Sequence, residues 1–237
     1  MDPGLRMLSC GADVGEGYRS ALRKQFVGLG LLVERFPAAR WFFITGCDAY
    51  VYARNLEALL AGYDPSLDWF IGGHCARVEV DGESILYPSG GPGFALSRPL
   101  ALKVCERAKA FVAKWEGRSD GLRGACDVAM AVLVVRVLGR AFTYQEGFYH
   151  CQPYRYPGNP FLDGEGATVD KAPTDAPVAF HSLSIREMYQ LDCGEGLRRP
   201  GLLLRAVDYF AKRAARIFRT RHVVNDLCAA LWPPRRR

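Results

Sequence analysis

Two aspartates and two histidines stand where they could act on a bound ligand. Asp48 follows the apolar run 41–45, and Asp127 opens a long apolar segment. His150 and His181 each follow an aromatic residue at a predicted strand end. An aspartate in such a place either caps the next helix or does chemistry: Asp48 as the ligand of a cation that holds a diphosphate, Asp127 as a general base. Each histidine is either a core residue or a metal ligand.

A glycine-rich turn lies between these residues in the chain and contains Gly90, Gly91 and Gly93. Glycines allow the backbone to turn sharply and to approach a ligand closely. The segment is not a nucleotide-binding P-loop, because no Gly-Lys-Ser or Gly-Lys-Thr sequence follows it. The alternative interpretation is a plain turn between a strand and a helix.

The elements around Asp48 are typical of an α/β protein. Apolar residues at helical spacing predict a helix over 15–35. The aromatic and β-branched run 41–45 predicts a strand buried on both faces, as in a parallel sheet, and a second helix runs from about 52 to 62. In such folds ligands gather at the carboxyl ends of strands, and Asp48 lies at such an end.

The middle of the chain alternates turns and apolar segments. Asp81-Gly82 predicts a hairpin within 77–87, and the segment 126–138 predicts a buried helix because it is apolar almost all round. A further helix begins at Ser97, with Pro99 in its first turn. Its expected inward positions are Leu102, Cys105, Ala108 and Phe111.

The last third of the chain is less regular. Residues 151–177 are rich in Pro, Gly and Asp and predict a long surface loop. Residues 179–181 predict a last short strand, and an amphipathic helix spans roughly 201–231.

Composition excludes several classes of protein. The chain has 237 residues, of which 49% are hydrophobic and 24% charged, so it is not disordered, collagen-like or a coiled coil. No apolar run reaches the length of about 18 residues that a membrane-spanning helix needs.

The eight cysteines form no Cys-x-x-Cys pair, which argues against a structural zinc site. Their even number permits an oxidised, secreted protein and leaves any pairing open.

The net charge of +6 is unevenly distributed. Residues 198–237 hold eleven Lys or Arg against two Asp, whereas residues 1–197 carry a slight negative charge. A basic tail can contact a protein partner, a membrane surface or phosphate, and a solvated helix face is the alternative interpretation. We expect no nucleic-acid partner, because no aromatic-interleaved basic patch accompanies the charge.

Four segments, taken in chain order, carry a resemblance to a known family. They are residues 18–23, residues 40–51 with Asn55 and Leu56, the turn 89–97, and residues 179–191. They are similar to the helix before the metal motif, the aspartate-rich strand segment, the Gly-Gly-Ala-Gly-Phe turn and the C-terminal part of Fringe-like glycosyltransferases. The resemblance runs from about 17 to 192 and is greatest to the core 1 β1,3-galactosyltransferase and plant Fringe-related branches.

The resemblance implies a GT-A fold, a Rossmann-like α/β domain that binds a UDP-sugar. It implies inverting transfer of galactose or N-acetylglucosamine to a glycan or glycoprotein, with formation of a β1,3 bond, in the Golgi or secretory lumen. A manganese ion would bridge the diphosphate and neutralise the charge that grows on the departing UDP.

Site roles follow from the matching positions. Asp48 matches the last aspartate of the metal motif, and Asp127 matches the general base. His181 is the first choice for the other metal ligand, and His150 is its competitor. Donor binding falls to the turn glycines Gly90, Gly91 and Gly93, and to Arg19.

The sequence departs from the family in two respects. Gly46 and Cys47 stand where the family has aspartates, and Cys47 is a poor substitute because manganese prefers oxygen ligands. The residues before 15 are too few for the family's first strand and helix, so we expect the fold to lack them. We predict a glycosyltransferase-like domain over 1–197 and a basic amphipathic helix and tail over 198–237. The alternative function is that of a catalytically inactive relative acting as a structural or binding subunit.

Overall fold

The computed structural model describes residues 10–11 and 20–194. The chain divides into two compact units, Met1–Leu183 and Ser184–Arg237. The architecture is mixed α/β, with several small sheets and five described α-helices. The helices are α1 (Ala21–Arg35), α2 (Ala53–Leu60), α3 (Arg98–Glu116), α4 (Cys126–Ala131) and α5 (Ile185–Asp192).

The described strands of the first unit are β1 (Trp41–Ile44), β2 (Tyr50–Val51), β3 (Phe70–Gly72), β4 (Cys75–Val80), β5 (Glu83–Pro88), β6 (Phe94–Ser97), β7 (Thr143–Tyr144), β8 (Phe148–Tyr149), β9 (Phe161–Leu162), β10 (Thr168–Val169) and β11 (Ala179–Phe180). These strands form three sheets, with the orders β1-β6-β3-β7, β10-β9-β4-β5 and β2-β11-β8.

The prediction that β1 lies inside a parallel sheet is wrong. Among the described strands β1 pairs only with β6, antiparallel, with Phe42 opposite Leu96. The run is apolar because helices cover both faces of the sheet. Phe42 packs in the large core with α1, α3 and α4, while Trp41 and Phe43 pack on the other face with residues of α2.

The hairpin prediction is confirmed by β4 and β5. Asp81 and Gly82 both have positive φ, 54° and 80°, which is the backbone of a two-residue turn whose twist matches the flanking strands.

The predicted helices are confirmed over the described residues, with one corrected position. α1 buries Leu22, Phe26, Leu29 and Val33 at helical spacing. The segment 126–138 is α4 continued by a π-helix over Val132–Val137, and its side chains from Val128 to Val134 are buried. In α3 the expected residues Cys105, Ala108 and Phe111 are partly buried against the core. Leu102, also expected inward, is 41% exposed, and Leu100, Ala101 and Val104 are the buried residues near the start.

The predicted loop 151–177 contains two short strands, β9 and β10, which add to the sheet of the hairpin. Two-residue strands are too short to show a periodicity, so the sequence did not indicate them. The predicted helix at 201–231 lies outside the described residues.

The described part of the chain contains no helix that is long and apolar enough to cross a membrane. Every cysteine in that part is a free thiol, so the even count does not correspond to disulfides there.

Candidate functional site

Asp48 and His181 face each other, with Oδ1 of the carboxylate 2.9 Å from Nε2 of the imidazole. Asp48 lies in the turn between β1 and β2, and His181 directly follows β11. The two strands pair antiparallel, with Phe180 opposite Tyr50, and the backbone N–H of Leu183 donates to the carbonyl of Asp48 at 3.0 Å. Strand pairing therefore brings together two residues that are far apart in the sequence.

The electrostatics of the pair favour an anionic Asp48. The side chain of Asp48 is 50% exposed, and that of His181 is 16% exposed. The hydrogen bond with His181 lowers the pKa of Asp48, although burial opposes this shift. At neutral pH the site therefore presents a charged oxygen ligand beside an imidazole nitrogen.

The other ring nitrogen of His181 is held by backbone. Nδ1 lies 3.2 Å from the carbonyl oxygen of His150, which can only accept, and 3.1 Å from the hydroxyl of Ser182, which can donate or accept. A proton on Nδ1 satisfies both neighbours, so we assign one there. Nε2 also faces an acceptor, the Asp48 carboxylate. Nε2 is therefore the ring nitrogen that would bind a cation together with Asp48.

The glycine-rich turn packs directly on the site. A Cβ added to Gly91 would lie 2.5 Å from Nδ1 of His181, and one added to Gly90 would lie 2.8 Å from Cβ of Asp127. Gly93 has φ +100°, in the region that favours glycine. The backbone of the turn thus packs closely on both functional side chains, and a larger residue at Gly90 or Gly91 would displace one of them.

Asp127 packs against the same turn as His181, at the neighbouring glycine Gly90. It stands in the first turn of α4, whose N-cap is Ala125, so it is not the capping residue. Its Oδ2 accepts a hydrogen bond of 3.0 Å from the N–H of Gly90. Since Gly90 and Gly91 are adjacent, with Cα atoms about 3.8 Å apart, Asp127 and His181 belong to one site.

His150 contributes to the site in a different way from His181. Its Nδ1 lies 3.1 Å from the hydroxyl of Ser89, and its ring stacks on that of His74 at 5.4 Å between centroids. Burial lowers the pKa of His150 and keeps the ring neutral. Of the two histidines, His181 is the one that contacts Asp48, while His150 supplies the carbonyl that orients it.

The Asp48–His181 pair fits a divalent cation as a partial ligand set. Two neighbouring ligands of an octahedral ion, each about 2.1 Å from it, are about 3.0 Å apart, close to the separation found. Within the described residues no group of three or more His, Cys, Asp or Glu is placed to hold a metal. The residues present therefore suit an ion whose other ligands come from phosphate and water, as is common for magnesium-type ions.

Sequence reasoning missed three polar residues at this site. Ser89 precedes the glycine turn, Ser182 follows His181, and Gln152 donates a hydrogen bond to the carbonyl of Ser182. Their positions beside the named residues were the only signal available, because single polar residues form no pattern. Arg19, predicted to contact the donor, lies outside the described residues.

Comparison with known proteins shows the family of the chain. Residues 14–155 match the sequence model of the Fringe-like family. The chain is also 28% identical over 130 residues to the Fringe glycosyltransferase of Drosophila melanogaster. That match covers 49% of this chain and 31% of the relative, so the matched region spans about a third of the relative's length.

The family match includes Asp48, the glycine turn, Asp127 and His150, and it ends before His181. More than half of the chain lies within it, and the chain belongs to the Fringe-like family.

Proposed function

We propose that the chain carries the catalytic site of an inverting glycosyltransferase with a GT-A arrangement. The enzyme would transfer a hexose, galactose or N-acetylglucosamine, from a UDP-sugar to a glycan or glycoprotein and form a β1,3 bond. The observation that carries this proposal is the Asp48–His181 contact of 2.9 Å beside a glycine turn that also holds Asp127. Membership of the Fringe-like family supports the reaction class.

Asp48 and His181 are the residues that would hold a manganese ion. When bound, the ion would act as a Lewis acid on the diphosphate and offset the charge of the leaving group. The chain's own contribution is one anionic oxygen and one imidazole nitrogen in a fixed relation. The proton that we assign to Nδ1 of His181 supports this role, since metal-binding histidines usually donate their other N–H to a carbonyl or carboxylate.

Asp127 is our candidate for the general base. In the proposed step the acceptor hydroxyl attacks the anomeric carbon, and its proton passes to the Asp127 carboxylate. A bond forms between the acceptor oxygen and that carbon while the bond to the UDP oxygen breaks on the opposite side, which inverts the configuration. The N–H of Gly90 fixes Asp127 by donating to one carboxylate oxygen.

We expect the protein to act in the secretory lumen, where its acceptor glycans would be found. This expectation rests on the family alone. No finding supports the alternative of a catalytically inactive subunit, and an activity assay decides it: release of UDP from a panel of UDP-sugars, with manganese or with a chelator.

The metal role is tested by calorimetry of UDP binding. We expect wild-type affinity to be about tenfold higher with manganese than with a chelator, and the Asp48→Asn variant to lose this difference. Asp64→Asn is a matched control, because Asp64 is an exposed aspartate whose side chain bonds, among the described residues, to Ser66 in a surface turn. Equal UDP affinity of the wild-type protein with and without manganese would overturn the metal role.

A further inference from the structure

We propose that Gln152 is a positioning residue that holds His181 against Asp48. The proposal deepens the function above, since it concerns the geometry of the same site. The side-chain amide of Gln152 donates to the backbone carbonyl of Ser182 at 2.7 Å, and Ser182 is the residue after His181. Gln152 touches neither Asp48 nor the ring of His181 in any hydrogen bond of the described residues, so its action is indirect.

The burial of Gln152 indicates that this hydrogen bond is the reason for a polar residue here. Gln152 is only 8% exposed, and its Oε1 is fully buried with no hydrogen-bond partner in the described part of the chain. A buried acceptor without a partner is unfavourable, and an apolar side chain of the same length would avoid that cost. The amide N–H, by contrast, has a hydrogen-bond partner, because it donates to the carbonyl of Ser182.

The carbonyl that Gln152 holds lies at a conformationally unusual residue. Ser182 has φ +57°, in the left-handed region that residues other than glycine rarely adopt. The chain changes direction here, immediately after His181 and before Leu183, whose N–H bonds to the carbonyl of Asp48. An unfavourable backbone conformation persists only where its surroundings hold it, and the Gln152 amide is one such support.

The segment that carries Gln152 also orients the ring of His181. The N–H of His181 donates to the carbonyl of Tyr149 at 2.9 Å, and its Nδ1 lies near the carbonyl of His150. Gln152 lies two residues after His150 in the chain, and its side chain donates to the carbonyl of Ser182. Residues 149–152 thus continue alongside residues 181–182 beyond the parallel pairing of β8 with β11. At the end of this segment the donor is the side-chain amide of Gln152 and not a backbone N–H.

A change of a few tenths of an ångström at His181 matters because a cation needs both ligands at bonding distance. Groups outside the ligand shell that orient a ligand typically change metal affinity by about tenfold to a hundredfold when removed. Loss of the Gln152 bond should release the left-handed turn and allow the imidazole to move away from Asp48.

The test uses Gln152→Met, which keeps the length of the side chain and removes its donor. Asn55→Leu is the matched control, since Asn55 donates its amide to the carbonyl of Pro177 at the same 2.7 Å. Pro177 stands two residues before β11, as Ser182 stands two residues after it. The two variants therefore remove equivalent bonds from the two ends of one strand, and only one end carries His181.

Two measurements decide the proposal. Crystal structures of the metal-free full chain should keep the Asp48–His181 contact in wild type and Asn55→Leu. In Gln152→Met the two atoms should separate beyond hydrogen-bond reach, about 3.5 Å. Calorimetric titration of manganese at saturating UDP should give an affinity about tenfold lower for Gln152→Met and unchanged for Asn55→Leu.

An intact Asp48–His181 contact in the Gln152→Met structure would overturn the positioning role. If manganese has no effect on UDP binding by the wild-type protein, the proposed metal role is wrong, yet the metal-free structures still decide the role of Gln152. Gln152→Glu serves where the Met variant does not fold, because it keeps the size and replaces the donor by an acceptor that repels the Ser182 carbonyl.

Discussion

Gly91→Ala is the substitution whose effect the structure predicts most directly. The new Cβ would lie 2.5 Å from Nδ1, 2.6 Å from Cε1 and 2.7 Å from Cγ of His181. Non-bonded heavy atoms are in favourable contact at about 3.5 Å or more, so the ring must move by about 1 Å. The backbone of Gly91 has an ordinary negative φ, so alanine adds no conformational strain, and the predicted effect is steric alone.

The direction of the ring's movement sets the magnitude. Tyr149 and His150 hold the backbone and Nδ1 of His181, so the ring moves against those bonds and changes its position relative to Asp48. Forcing a methyl group into a packed site typically costs about 1–3 kcal/mol of stability. A displacement of about 1 Å at a ligand should also lower the affinity for manganese in the presence of UDP by about tenfold or more.

Gly30→Ala is the control for Gly91→Ala. Gly30 lies in α1, and an added Cβ there would meet no atom from elsewhere in the described part of the chain within 4 Å. Alanine is the better helix former by about 1 kcal/mol, so this variant should be more stable than wild type and bind UDP and manganese equally well. Urea denaturation and calorimetry measure both effects. A Gly91→Ala protein with wild-type stability and wild-type manganese dependence would refute the reasoning.

Three further predictions concern the general base, the thiols and pH. Asp127→Asn should lower transfer by about a hundredfold or more with unchanged UDP affinity, because the amide oxygen still accepts from the glycine turn; equal loss of both would indicate a structural role. Brief alkylation followed by peptide mass spectrometry should label exposed Cys47 and Cys193 and spare Cys75, since burial raises the pKa of the Cys75 thiol to about 12. Burial, with the neighbouring His150 and His181, lowers the pKa of His74 to about 3, so only the unfolded chain takes up this proton between pH 6.5 and 3. The free energy of unfolding should fall by about 1.4 kcal/mol per pH unit below about 6.5, and His74→Asn should reduce that slope in urea titrations; an unchanged slope would contradict the assignment.

The sequence predicted the elements whose signal is local. The periodicity of α1 and the Asp81-Gly82 turn depend on neighbouring residues, and the structure has both. The buried segment 126–138 was also evident, because a helix that is apolar all round has no exposed face. Its continuation as a π-helix was not evident, since the change of register leaves no trace in an apolar run.

Features set by distant parts of the chain were not predictable. An apolar run such as β1 indicates cover on both faces, and α1 and α2 provide that cover without a parallel neighbour on either side. In α3 the expected inward positions Cys105, Ala108 and Phe111 do pack against the core, and Leu102 is the one position that was wrong. The strand β6 leads directly into this helix and turns Leu100 and Ala101 onto the sheet, which leaves Leu102 outside.

The candidate site was predictable to the extent that its residues belong to motifs. Asp48, the turn glycines, Asp127 and His181 were named from the sequence, and the structure brings these residues together. The different roles of His150 and His181 could not be predicted from the sequence, because they depend on which ring faces Asp48 in the folded chain. The role of Gln152 could not be predicted for a similar reason, because it depends on a backbone carbonyl thirty residues away in the chain.

Gly46 and Cys47, at the positions where the resemblance expects aspartates, would give this site a different balance of charge from a three-carboxylate motif. A Cβ at position 46 would lie 3.0 Å from Oδ1 of Asp48 and 3.1 Å from the ring of His181, so the backbone there already packs tightly on both proposed ligands. A carboxylate at that position would crowd the pair and repel Asp48. With one carboxylate and one imidazole as ligands, the protein would attract a cation only weakly by itself, and the diphosphate would supply most of the negative charge. Manganese and UDP should therefore bind with strong mutual dependence, each raising the affinity for the other by the same factor.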